Sequence, residues 1–174
     1  MIQSIKIGTR GSKLALKQAN MVLEAIQNSN PSINVEIVTI KTSGDWNKEL
    51  GEKRLDPDKG GKGQFTSDIQ EKLLSNEVNL AVHSLKDIPS NDLYDNIEFS
   101  QNLSITHFLI AGNDCDAGIC DDASSLDDLP EGSVVGTASL RRKALLKELW
   151  SHLHVEVIRG NVPTRLEKLA KGQV

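Results

Sequence analysis

Four short stretches of the chain share a composition suited to holding an anion. They are Gly8-Thr9-Arg10-Gly11-Ser12, His83-Ser84-Leu85-Lys86, Gly136-Thr137-Ala138-Ser139-Leu140-Arg141-Arg142, and Arg159-Gly160-Asn161 with Thr164-Arg165. Each combines small hydroxyl or amide residues with at least one cation, and glycine or a helix start supplies backbone N–H groups that a ligand can approach. Arginine adds a planar fork matched to carboxylate or phosphate. Arg141 and Arg142 fall where a helix should begin, and a cation there opposes the helix dipole by about 0.3–1 kcal/mol. Repeating that arrangement points to a polyanionic ligand. Asp87 stands apart, because a carboxylate among cations repels such a ligand. It suits instead an enzyme that makes a cation during reaction or moves a proton. A salt bridge to a neighbouring cation is the plainer role for it.

Other residues offer less. Gly60-Gly61-Lys62-Gly63 lacks the full phosphate-loop signature, and Lys62 reads as a cation on a mobile loop over a site. Cys115, Cys120 and His107 have the wrong spacing for a metal centre, so no metal is expected. His83 reads as a packed or hydrogen-bonded histidine, and His152 and His154 as surface residues.

These stretches need elements to position them. Ser4–Ile7 reads as a strand, Ser12 as the cap of a helix over Lys13–Asn28, and Val35–Ile40 as a second strand. Strand, helix and strand imply a parallel pair with a right-handed crossover. Ser43–Gly63 is polar and aperiodic, the mark of a long loop. Phe65, Ile69, Leu73 and Leu74 make a helical stripe that Thr66 or Ser67 can cap, and Leu80–Val82 is a short buried strand. Ile97, Phe99 and Leu103 alternate as in a crossing strand, and His107–Ala111 is an apolar run of strand type. A second unit repeats the logic, with a helical turn at Ser125–Leu129, a strand at Ser133–Gly136, a helix over Leu140–Trp150, a strand at Val155–Ile158, and a helix reaching about Lys171. Val174 has the look of a further strand beginning. The fold class is α/β with parallel sheets, and ligands of such sheets sit at the carboxyl ends of the strands.

The 174 residues, 38% hydrophobic and 25% charged, suit a globular protein with a real core. A net charge of -4 and only 3% aromatic residues exclude a global basic field and a base-stacking surface, so nucleic acid is not an expected partner. There is no apolar signal core or membrane-length segment, and the two cysteines fit a reducing cytoplasm.

IGTRGSKLALKQAN, GGKGQF, AVHSLKDIP, VGTASLRR and IRGNVPTRL, in this order, closely resemble hydroxymethylbilane synthase (porphobilinogen deaminase) over nearly the whole chain. The resemblance implies a transferase of tetrapyrrole (haem) biosynthesis, usually monomeric, that condenses four porphobilinogen molecules head to tail with loss of ammonia. It implies two domains like type II periplasmic binding proteins, 1–99 lacking its return segment and 100–174 incomplete, with the site in the cleft between them. A third domain, absent from this chain, carries the cysteine that anchors a dipyrromethane cofactor. Asp87 would be the catalytic acid and base. Arg10, Ser12, Lys86, Arg141, Arg142, Arg159 and Arg165 would hold acetate and propionate groups, with Ser84, Thr137 and Ser139 adding hydrogen bonds and Lys62 on a loop over the cleft.

The chain departs from that pattern in three places. It ends before the anchoring cysteine, which Cys115 and Cys120 do not match. Ser104–Gly118 lacks the arginine of the family's acidic-Pro-Arg-Asp run, and the Asp45–Gly60 loop is longer than is common. The expectation is a fragment inactive by itself. The rival reading is a non-catalytic two-lobed binding module for a small organic polyanion, against which Asp87 and the missing export signal count.

Overall fold

The computed structural model describes residues 4–45, 61–88, 103–110, 112–113, 115–120 and 123–174. These fall into two compact units. The first holds the described residues up to 110, and the second those from 112 onward.

The first unit is built on strand β1, Ser4–Arg10, which alternates isoleucine with polar residues and glycine. Helix α1, Lys13–Ser29, follows at once, and Ser12 caps it by accepting a hydrogen bond from the Ala15 amide. Strand β2, Asn34–Ile40, returns parallel to β1 in register from Ser4 opposite Asn34 to Arg10 opposite Ile40. A 3-10 turn over Gly61–Phe65 leads into helix α2, Ser67–Leu74. Thr66 occupies the cap position, but its hydroxyl donates to the Gly63 carbonyl, so neither expected side-chain cap is made. Strand β3, Leu80–Ala81, pairs parallel with the other edge of β1, giving the order β2-β1-β3.

Each face of this sheet has its own core. Ile7, Val35 and Ala19 are buried together, with Val22, Leu23 and Ile26 of α1 against them. On the opposite face Ile40, Ile69 and Val78 are buried, with Leu73 of α2 and Ala81 of β3. Fully burying such an isoleucine contributes about 1.5–3 kcal/mol. Gly8 lets Val78 and Ile69 of α2 approach, since a Cβ there would stand 3.0 Å from Val78 Cγ2 and 3.4 Å from Ile69 Cγ2. A middle strand covered on both faces has its free ends at the carboxyl edge. Arg10 of β1 and the residues after β3 meet there.

The second unit contains a 3-10 turn over Leu126–Asp128 capped by Ser125, then strand β4, Val134–Gly136. Helix α3, Leu140–Leu149, carries the chain to strand β5, His154–Glu156, which pairs parallel with β4. Helix α4, Val162–Ala170, follows. Leu146, Leu153 and Ile158 are buried in this unit. The tight turn before α4 requires glycine at Gly160, which has φ +111°.

Three strand expectations need correction. Residues 103–110 have no regular structure and Ile110 is 95% exposed. An apolar run becomes a strand only beside a neighbour that completes its ladder, and none of the described strands pairs with it. The strand expected at Val155–Ile158 is β5, displaced toward the N-terminus, with Ile158 buried just beyond its end. Val174 is not in a strand, although its Cγ1 lies 3.1 Å from where a Cβ on Gly136 would stand. Ile97, Phe99 and most of the Ser43–Gly63 loop lie outside the described residues.

Candidate functional site

β1 ends in Arg10, and its guanidinium is held on three sides. Its Nε donates to Asp45 Oδ1 at 3.0 Å and its Nη2 donates to the same oxygen. Its Nη1 stands 4.0 Å from Asp87 Oδ2. The face of the group lies over the Phe65 ring, with Cζ 4.2 Å from the centroid. Asp45 is fixed in turn, because its Oδ2 accepts from the Thr42 amide at 3.1 Å.

Asp87 closes a 3-10 turn, Leu85–Asp87, which follows β3 after the three residues 82–84. Its amide donates to the Ser84 carbonyl at 2.9 Å, which folds the His83–Asp87 stretch into a compact turn. Ser84 Oγ donates to Gln18 Oε1 of α1 at 3.1 Å, tying the turn to the helix that β1 leads into. His83 Nε2 is buried and has no hydrogen-bond partner among the described residues. Burial pushes the imidazole below its ordinary value of 6.5, the Asp87 carboxylate pulls it up, and Arg10 pushes it down again. His83 is therefore neutral at pH 7, as a packed histidine should be. Lys86 is exposed in the same turn. Ser12 is half-buried and spends its hydroxyl on the α1 cap. The backbone of Lys62 lies in the Gly61–Phe65 turn.

In the second unit the β4–α3 junction gathers four expected residues. Thr137 is buried, and its Oγ1 accepts from the Ser139 amide at 3.2 Å. Ser139 caps α3 by accepting from the Arg142 amide at 3.4 Å. Arg141 and Arg142 occupy the first helical turn, where Asp116 offsets their conflict with the dipole. Its Oδ1 is 2.6 Å from Arg142 Nη2 and its Oδ2 is 3.6 Å from Arg141 Nη2. Arg142 Nε is buried with no hydrogen-bond partner among the described residues. At the β5–α4 junction Arg159 is buried, Arg165 Nε donates to the Gly160 carbonyl at 2.7 Å, and Lys168 Nζ donates to the Arg159 carbonyl at 2.9 Å. Cys115 and Cys120 are exposed, free thiols.

Of the expected residues, Arg10, Ser84 and Asp87 come together in the first unit, and Thr137, Ser139, Arg141 and Arg142 in the second. Sequence reasoning missed Asp45, Gln18, Phe65 and Asp116 as partners of these residues. Phe65 falls in phase with a helical stripe, and the carboxylates lie in polar loops, so only the three-dimensional pairing reveals them.

Residues 5–174 match the family model described as porphobilinogen deaminase, dipyromethane cofactor binding domain. Porphobilinogen deaminases from Rickettsia prowazekii (strain Madrid E) and Rickettsia bellii (strain OSU 85-389) are each 43% identical to the chain over 176 residues, covering all of it and 54% of their own length. The porphobilinogen deaminase of Rickettsia rickettsii (strain Sheila Smith) is 40% identical and is covered over 46% of its length. The chain thus spans about half the length of these curated relatives. Among the described residues no helix is long and apolar enough to cross a membrane.

Proposed function

The chain belongs to the porphobilinogen deaminase family, and from that premise we propose that it works in hydroxymethylbilane synthesis, a transferase reaction that joins porphobilinogen units head to tail with loss of ammonia. The observation that carries this reading is the setting of Asp87. It is a half-buried carboxylate in the turn that follows strand β3, 4.0 Å from an arginine whose other edge is already engaged by Asp45. A receptor for anions gains nothing from that carboxylate. A reaction that breaks a carbon–nitrogen bond and leaves a cationic pyrrole does gain from it.

In this reading Arg10 and Lys86 hold carboxylate groups of the substrate, and Ser84, oriented by Gln18, adds a hydrogen bond. Asp87 holds a proton at the departing amine and then faces the positive charge left on the ring as ammonia leaves. His83, neutral and half-buried beside it, adds no competing charge. Arg141, Arg142, Thr137, Ser139, Arg159 and Arg165 form the seat for the cofactor's acidic side chains, and Ser12 and Lys62 assist at the edges of the site. The donor set suits a polycarboxylated dipyrromethane, and the partnerless buried Nε of Arg142 is the kind of donor such a group satisfies. When bound, the dipyrromethane supplies the pyrrole carbon onto which substrate rings are added. Cys115 and Cys120 are not its anchor in this reading. The two units are read as type II periplasmic-binding-protein-like lobes, divided near residue 99. A cytoplasmic, monomeric enzyme without nucleic-acid or membrane partners completes the proposal.

The test is calorimetric titration of the chain with porphobilinogen, beside Arg10→Ala and Asp87→Asn. Arg10→Ala should weaken binding about tenfold or more, the value of a hydrogen-bonded charge contact. Asp87→Asn should preserve or strengthen it. Wild-type protein that does not bind porphobilinogen refutes the reading.

A further inference from the structure

Asp45 grips Arg10 through one oxygen only. Nε and Nη2 both donate to Oδ1, while Oδ2 is turned to the Thr42 amide. A fork held at a single point fixes where the guanidinium is but leaves it free to pivot about that oxygen. The pivot decides where Nη1, the corner nearest Asp87, is aimed. Asp87, 4.0 Å from Nη1, is an ion-pair partner too distant for a hydrogen bond, and the other constraint is the Phe65 ring, over which Arg10 Cζ stands 4.2 Å from the centroid. A ring there sets the plane, because the cation is attracted to the face of the π system and loses that attraction when tilted away.

Phe65 is itself seated. The Gly44 amide donates to the Gln64 carbonyl at 2.9 Å and Ser43 Oγ donates to the same carbonyl at 3.2 Å, stitching the chain after β2 to the turn that carries the ring. A Cβ on Gly44 would stand 2.7 Å from Phe65 Cδ1, 2.8 Å from Cε1 and 3.0 Å from Cγ. Only glycine lets the ring lie where it does. We infer that Phe65, seated on Gly44, is a positioning residue that sets the plane of the Arg10 guanidinium and so aims its Nη1 corner at the ligand carboxylate. Its consequence for binding rests on the reading of Arg10 given above. Its effect on Arg10 itself does not.

Two readouts on the 174-residue chain separate those claims. The first is the Arg10 Nε–H proton resonance. A guanidinium over a ring is shifted upfield, and Phe65→Leu should remove that shift while Phe65→Tyr keeps it. Gly44→Ala, which retains the ring but displaces it, should move the same resonance, and the amide spectrum of β1 checks that each variant is folded. The second readout is porphobilinogen affinity. Phe65→Leu should weaken it about 3- to 10-fold and Phe65→Tyr should restore it. On an Arg10→Ala background Phe65→Leu should change it by less than about twofold, because the ring then has nothing to aim. An Arg10 resonance indifferent to the ring overturns the inference, as does an equal loss of affinity on both backgrounds. A ring-dependent resonance in protein that does not bind porphobilinogen upholds the positioning of Arg10 and refutes only the functional reading.

Discussion

Replacing Asp45 with alanine tests how the carboxyl edge of the first unit is held. Asp45 receives three hydrogen bonds, two from Arg10 and one from the Thr42 amide. A hydrogen bond to a charged group is worth about 1.5–3 kcal/mol, and an exposed ion pair about 0–1 kcal/mol. Removing one partner of a fully buried pair costs about 3–5 kcal/mol. This pair lies between those limits, with side-chain exposures of 17% for Arg10 and 25% for Asp45. Asp45→Ala should therefore cost about 2–3 kcal/mol, which is about a 30- to 150-fold rise in the opening equilibrium. Asp45→Asn should cost about half as much, since its amide oxygen still accepts.

A chain of two compact units need not unfold in one step, so a global melting curve is the wrong measurement. Native-state exchange of the β1 and β2 amides reports the first unit directly. A double-mutant cycle with Arg10→Ala removes the Thr42 contribution, which belongs to Asp45 alone, and should leave a coupling of about 1–2 kcal/mol. A coupling below about 0.3 kcal/mol, within the usual error of additivity, would refute the claim that this pair fastens β1 to the segment after β2.

His83 should make stability fall with acid. Its folded-state value lies below 6.5, so the unfolded chain binds more protons as pH drops beneath 6.5 and the native state loses stability through that window. Native-state exchange of the β1 and β2 amides at pH 7.5 and 5.5, corrected for intrinsic exchange, should show the fall, and His83→Gln should reduce it; an unchanged slope would place the titration elsewhere. Asp116 should act as an internal competitor for anions, because it occupies Arg141, which is largely exposed, and Arg142, which like Asp116 is nearly half exposed. Asp116→Asn should leave stability within about 0.5 kcal/mol yet raise affinity for a simple tricarboxylate severalfold by calorimetry, and weaker binding would count against competition.

The sequence was most readable where one residue type has one structural use. Ser12 before an apolar helical period marked a helix start that the chain adopts with the expected hydroxyl-to-amide bond, and the helix read from Leu140 does begin there, with Ser139 as its cap. Isoleucine and valine runs marked β1 and β2, whose parallel pairing follows from the helix between them. Readability failed where the deciding partner is distant along the chain. Phe65 sits four residues before Ile69 and eight before Leu73, so periodicity assigns it to the buried face of a helix. The helix instead begins at Ser67, and the ring serves Arg10, 55 positions earlier. Asp45 is an unremarkable loop aspartate until β1 and β2 end side by side. The run at 107–110 shows the opposite error, since apolar content was visible but the neighbour needed to make a strand was not.

The placement of Asp45 also bears on why Asp87 can remain chemically available. An arginine at a strand end and an aspartate in the turn beyond the neighbouring strand would ordinarily close into a two-point pair, which satisfies both groups and leaves neither for a ligand. Here the Nε edge of Arg10 is taken by Asp45 and its face by Phe65, so only the Nη1 corner reaches toward Asp87, and it stops at 4.0 Å. The same charge pattern recurs in the second unit, where Asp116 partly occupies the arginines of α3. On the proposed reading of these junctions as anion seats, Arg10, Arg141 and Arg142 are already matched to internal carboxylates in a chain of net charge -4. In that reading a ligand carboxylate enters by exchange with a carboxylate of the protein rather than by capture in a positive field. Exchange lowers the net gain from each contact, and it favours ligands that present several carboxylates at once over any single small anion.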